Sequence, residues 1–196
     1  MCQRCAWCLD GGMMQEYHDV EWGEPIHDDR KQFEHLMMEA FQCGLSWKLM
    51  MQKREIFRAC LDGFDYEKIA NYNEEDVQRI LNTPGMLKNA GKVRAAITNA
   101  RAYMQIIREY GSFDAFIWGY TGGKTLVYPA HQTAPVPSNA LSDALAKEMK
   151  RRGFKYLGTV TLYSHMQASG MINDHEADCF RYKEILANHP CTIVEE

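Results

Sequence analysis

Apolar residues recur at three- and four-residue intervals through most of this chain and almost never alternate, and that period restricts it to packed helices. After an opening rich in Trp and Cys, Asp28-Asp29 offers a cap, and Phe33, Leu36, Met37, Ala40 and Phe41 repeat at helical spacing to about Gln42. Gly44 stops that helix, and Ser46 caps a second carrying Leu49, Met50, Ile56, Phe57 and Cys60. Short helices are expected near Tyr66–Asn71 and Glu74–Leu81, the latter capped by Asn73 with Glu74, Glu75 and Asp76 favouring its N-terminal dipole. Thr83-Pro84-Gly85 signals a turn, and from Gly91 the set Val93, Ala96, Ile97, Ala100, Met104 and Ile107 marks a long amphipathic helix. Ser112 opens a short helix through Trp118, and Gly122 to Pro137 reads as irregular with at most a brief extended piece. Ser142-Asp143 then opens a helix ending at Gly153, and a last one runs from about Thr159 to Ser169, closed by Gly170. No segment repeats and no low-complexity linker appears, so a single all-α assembly of short helices is expected.

At 196 residues, 46% of them hydrophobic, the chain can bury one core and is short for two, so residues 1–196 read as one domain. No stretch approaches the ~20 apolar residues that span a bilayer. Met1-Cys2-Gln3-Arg4-Cys5 has no apolar signal core, so a soluble, cytoplasmic protein is expected. A formal charge of −4 gives no global attraction to nucleic acid. Yet Lys88, Lys92, Arg94, Arg101 and Arg108 fall in a stretch without an acidic residue, and Lys147, Lys150, Arg151, Arg152 and Lys155 are interrupted only by Glu148. Each run is either a binding face or a solvated helix face.

Seven cysteines at irregular spacing argue against a complete disulfide framework and for reduced thiols with some metal ligation. His175 and Cys179 stand four residues apart, close enough on one helical turn to share an ion, and Cys5 with His18 supplies a matching half-site. Such a Cys2His2 set suits zinc and leaves no open position, which makes the ion structural. The rival is the triplet Cys2, Cys5 and Cys8, which lacks a local fourth ligand.

Trp7, Tyr17, Trp22 and Trp47 crowd the first 47 residues, and Glu39 interrupts the apolar run Leu36 to Phe41. Either the tryptophans are core and Glu39 lies at the surface, or together they form a pocket. Aromatic faces stack on nucleobases for about 1–3 kcal/mol each and attract a cationic base, and a buried carboxylate can accept a hydrogen bond from its exocyclic amine.

Beyond these patterns, Gln3 to Trp7, Glu16 to Gly23, Cys43 to Trp47, Arg151 to Gly158 and Tyr163 to His175 together resemble the DNA-3-methyladenine glycosylase I family, in order and across about residues 3–180. The resemblance implies a helix-hairpin-helix glycosylase fold, in which a zinc-clamped lobe (1–30 and 160–180) joins a helical lobe (31–158) with the hairpin near 84–92. It implies a structural Zn2+ on Cys5, His18, His175 and Cys179. It also implies a base pocket in which Trp47 and Tyr17 stack, Glu39 binds the polar edge as the catalytic carboxylate, and Trp7 and Trp22 complete the walls. Gly85, Lys88, Gly91 and Lys92 of the hairpin would meet a DNA phosphate, and Leu45 would fill the gap left by the flipped nucleotide. Cys2, Cys8 and His165 depart from the family pattern.

The implied activity is hydrolytic excision of N3-methyladenine from alkylated double-stranded DNA by a monomer, leaving an abasic site. The base is a good leaving group because it departs from a cation, no Asp follows the hairpin as a further catalytic carboxylate, and no lysine stands placed for a lyase step. Two other classes remain open at this stage: a non-catalytic zinc-stabilised nucleic-acid-binding module, and a metal-dependent hydrolase with an open coordination site.

Overall fold

The computed structural model describes residues 3–9, 11–132 and 136–195. Ten α-helices occur among them: α1 (Gly12–Val20), α2 (Asp29–Gln42), α3 (Trp47–Cys60), α4 (Tyr66–Ala70), α5 (Glu74–Asn82), α6 (Ala90–Tyr110), α7 (Phe113–Trp118), α8 (Ala140–Arg151), α9 (Thr159–Ala168) and α10 (Phe180–Asn188). Two short strands, β1 (Thr125–Val127) and β2 (Cys191–Ile193), pair in parallel with Thr125 opposite Cys191.

Side-chain caps set most starts. The Asp28 carboxylate accepts from Lys31 N at 2.8 Å, Ser46 Oγ from Leu49 N at 3.3 Å, and Asn89 Oδ1 from Lys92 N at 3.0 Å. Asn73 and Asp76 form a reciprocal capping box, as do Asn139 and Ser142. The second box corrects the sequence reading, because Ser142 is the third residue of α8 and Asn139 its cap.

Two further helices correct it more substantially. α1 lies in the Trp- and Cys-rich opening, and α10 and β2 lie beyond Gly170, two stretches in which the sequence shows no helical stripe. His175 and Cys179 do not share a helical turn: they lie in an irregular turn, with Cys179 at the N-terminal boundary of α10.

One apolar cluster runs from Phe33, Leu36 and Met37 of α2 through Tyr103 and Ile106 of α6 to Leu162 and Met166 of α9 and Ile172 beyond it. α2 is buried along ten consecutive positions, Gln32 to Phe41, and so forms the central strut. It packs against α3, α6, α7 and α9, which puts Glu39, near its C-terminal end, deep in the molecule. No helix among the described residues is long and apolar enough to cross a membrane.

Candidate active site and metal centre

α1, α2 and α3 bring the sequence-singled aromatics and carboxylate together. Trp7, Tyr17, Trp22, Glu39 and Trp47 line one cavity of about 300 Å³ with Met14, Gln42, Ser164 and Gln167. That volume is at the small end of the ligand-pocket range of about 300–1,000 Å³. Trp7 meets Trp22 edge-on at 5.2 Å, and Tyr17 faces Trp47 at 5.6 Å with the rings inclined by 46°. Ser164 and Gln167 fall three residues apart on one face of α9 inside a family-like block, a spacing that could mark them; Met14 carries no such signal because Gly11-Gly12 at the start of α1 has the character of a loop.

Glu39 is 4% exposed, so the surface reading of this residue does not hold. Burial pushes its carboxyl up to about 8. Its Oε2 has no hydrogen-bond partner, and the Tyr17 hydroxyl and Trp47 indole N–H interact with each other without forming a well-aligned hydrogen bond. Burial first, then Glu39 and Glu21, raises the Tyr17 phenol well above its ordinary value, so Tyr17 remains a neutral donor. A buried polar atom left unpaired costs about 1–3 kcal/mol, and Glu39 Oε2, beside the poorly paired Tyr17 hydroxyl and Trp47 N–H, marks the edge a polar ligand would satisfy.

The second constellation is equally compact. The ligand atoms of Cys5, His18, His175 and Cys179, all buried, lie within 4.8 Å of one another. His175 Nδ1 is 3.2 Å from His18 Nε2 and 3.5 Å from Cys5 Sγ, and Cys179 Sγ is 3.5 Å from His18 Nε2. Four ligands about 2.0–2.3 Å from a tetrahedral ion lie about 3.3–3.8 Å apart. The separations of His175 from His18 and Cys5 and of Cys179 from His18 are close to that range, so the Cys2His2 set suits zinc once its widest separation, up to 4.8 Å, contracts. The outer ring nitrogens are also held: His18 Nδ1 is 2.8 Å from the Asp19 carboxylate, and His175 Nε2 is 3.0 Å from the Trp22 carbonyl. Gly23 allows this approach; it sits at φ +83°, and a Cβ there would fall 2.7 Å from His175 Nε2. Cys8 stands apart, its thiol donating to the Cys5 carbonyl at 3.1 Å, while Cys2 lies outside the described residues.

Leu45, 37% exposed, occupies the α2–α3 junction beside Trp47. In the turn before α6, Gly85 takes φ +80° and a Cβ would fall 2.7 Å from Ile56 Cδ1, while Gly91 lies in the first turn of α6. Both lysines bond backbone carbonyls, buried Lys92 and exposed Lys88 alike. Lys92 Nζ donates to the Phe41 and Cys43 carbonyls at 2.7 and 2.6 Å, and Lys88 Nζ donates to the Leu81 and Thr83 carbonyls. Arg94 pairs with Glu74, Arg101 donates to the Ala70 carbonyl, and Arg151 and Arg152 clasp Glu148. Much of both basic runs is therefore engaged within the fold. Asp114 pairs with His27 at 2.8 Å in the first turn of α7, away from the cavity lining. His165 is fully buried with neither ring nitrogen bonded, and burial pushes its pKa down to about 3, leaving it neutral.

Comparison with known proteins turns on the extent of the match. Residues 7–182 fit the model of the methyladenine glycosylase family. The chain belongs to that family. It is 42% identical over 181 residues to DNA-3-methyladenine glycosylase 1 of Escherichia coli K12, covering 92% of this chain and 97% of that one. A solved 3-methyladenine DNA glycosylase I superposes with a TM-score of 0.86 at 44% identity, covering 91% of this chain and 98% of the other. A structure described as the basis of 3-methyladenine recognition by the Staphylococcus aureus enzyme gives 0.86 at 32% identity, over 90% of this chain and 95% of that one. Membership makes this chain an enzyme, an N-glycosylase, and its mostly helical architecture is that of these structures.

Proposed function

We propose that this protein flips 3-methyladenine out of alkylated double-stranded DNA and hydrolyses its glycosidic bond, leaving an abasic site. The observation that carries the reading is the buried, unpaired Glu39 Oε2, with the poorly paired Tyr17 Oη and Trp47 Nε1 beside it, in an aromatic cavity sized for a single base. Solved structures of relatives described as recognising 3-methyladenine support it.

Trp47 and Tyr17 stack on the extruded base, Trp7 and Trp22 close the walls, and Leu45 fills the vacated stack. Glu39 accepts from the exocyclic amine, and its charge offsets the cationic purine, which then leaves neutral while water takes its place at C1′. No lysine lines the cavity among the described residues, in keeping with a monofunctional enzyme. Gly85 and Gly91 let the hairpin backbone approach a phosphate, with Lys88 and Lys92 bracing it through carbonyls and adding positive field. Cys5, His18, His175 and Cys179 would hold a structural Zn2+ that neutralises the thiolates and ties the two chain ends together, without touching substrate. The enzyme acts as a cytoplasmic monomer in this reading.

Incubation with methylated duplex should give abasic sites that remain unnicked until alkali is added, and borohydride should trap no covalent protein–DNA adduct. Enzymatic strand cleavage with a trapped adduct would replace the hydrolytic step by a lyase.

A further inference from the structure

An ion-pair network joins the same three elements that carry the cavity walls. Arg54 of α3 grips Glu21 with both Nη atoms at 2.7 Å, and its Nε donates to Glu34 Oε1 of α2 at 2.6 Å. His35 Nε2 lies 2.8 Å from Glu21 Oε1, and Arg58 adds a second guanidinium on Glu34. The side chains of Arg54, Glu34 and His35 are only 14, 11 and 5% exposed. Although burial opposes its ionisation, His35 and Arg54 hold the Glu21 carboxyl down to about 2, so that carboxylate stays charged.

The sequence offsets give the network its meaning. Glu21 lies one turn beyond Tyr17, His35 one turn before Glu39, and Arg54 two turns after Trp47. Trp47 borders both the base cavity and a small void lined by Glu21, His35 and Arg54. α1 buries only Met14, Tyr17 and His18, so apolar packing alone fixes its distance from α2 and α3 weakly. A bidentate guanidinium fork sets both distance and direction, which a lysine ammonium cannot reproduce.

We propose that Arg54, through Glu21 and Glu34, is a positioning residue that fixes the separation of Tyr17, Glu39 and Trp47 and thereby the excision rate. The proposal rests on the base-cavity reading above. A stacking site tolerates little displacement, since an error of about 1 Å in a reacting geometry is worth about a hundredfold in rate.

The test is Arg54→Lys, assayed with the full-length zinc-loaded protein by single-turnover release of 3-methyladenine, affinity for abasic-site duplex, and the Trp47 indole N–H resonance with its ring contacts to Tyr17. The expected result is a fall in the excision rate of about tenfold or more, duplex affinity held within about twofold, and a displaced Trp47 resonance. Parental excision, or a lost rate with Trp47 unmoved, overturns the proposal. Should Arg54→Lys fail to fold, Glu21→Gln measured in the same way decides. A parent that releases no base defeats the base-excision reading instead, and the resonance, which needs no substrate, still judges the network.

Discussion

Burial alone holds Glu39 near 8, and the sign of that shift sets two expectations. A cationic base favours the carboxylate, so kcat/KM, which reports the free enzyme, should rise with pH and level off above about 8, while the kcat inflection falls lower because the bound cation pulls the proton off. Glu39→Gln should lose this rise; a parent whose kcat/KM instead declines through the same range would make protonated Glu39 the active form. The same residue governs stability. Its folded value exceeds the ordinary 4.5, so the protonated form contributes stability that is complete below about 4.5 and lost as pH rises through about 8. In thermal denaturation, Glu39→Gln should therefore match the parent near the acid end of that window and exceed it at the alkaline end. An equal melting temperature at alkaline pH would show that Glu39 is not buried as charge. Glu39 was legible as one acid inside an apolar run, but only packing distinguishes a pocket carboxylate from a surface one.

Elements were legible where apolar periodicity and caps agree, as in α2, α3 and α6. α1 escaped because Gly11-Gly12 reads as a loop, and α10 because Ile185 is its one buried residue among the described ones, leaving no stripe to detect. The hairpin chemistry was hidden for another reason: sequence shows that Lys92 is basic and not that the end of α2 needs its ammonium. Removing that donor strands the Phe41 and Cys43 carbonyls, so Lys92→Met should destabilise the protein by about 1–3 kcal/mol in urea denaturation. The slope of DNA affinity against salt should scarcely move, whereas a Lys92 that contacts phosphate directly would lower it by nearly one unit on substitution.

Across the whole molecule, Cys5, His18, His175 and Cys179, up to 174 positions apart in sequence, converge within 4.8 Å of one another. The Cys/His cluster was legible from two half-sites, but its closure was not, because it depends on the irregular turn before α10. Stripping the metal with a strong chelator should lower the melting temperature and base release together, since Trp22 and Tyr17 hang on the clamped segment. Activity lost with an unchanged melting curve would point to a catalytic ion. The most direct test of the central claim is chromatographic analysis of bases released from N-methylated duplex DNA by the purified protein, with Glu39→Gln and Trp47→Ala alongside. Free 3-methyladenine from the parent, sharply reduced in both variants, is the expected result; tight duplex binding with no released base would contradict the account.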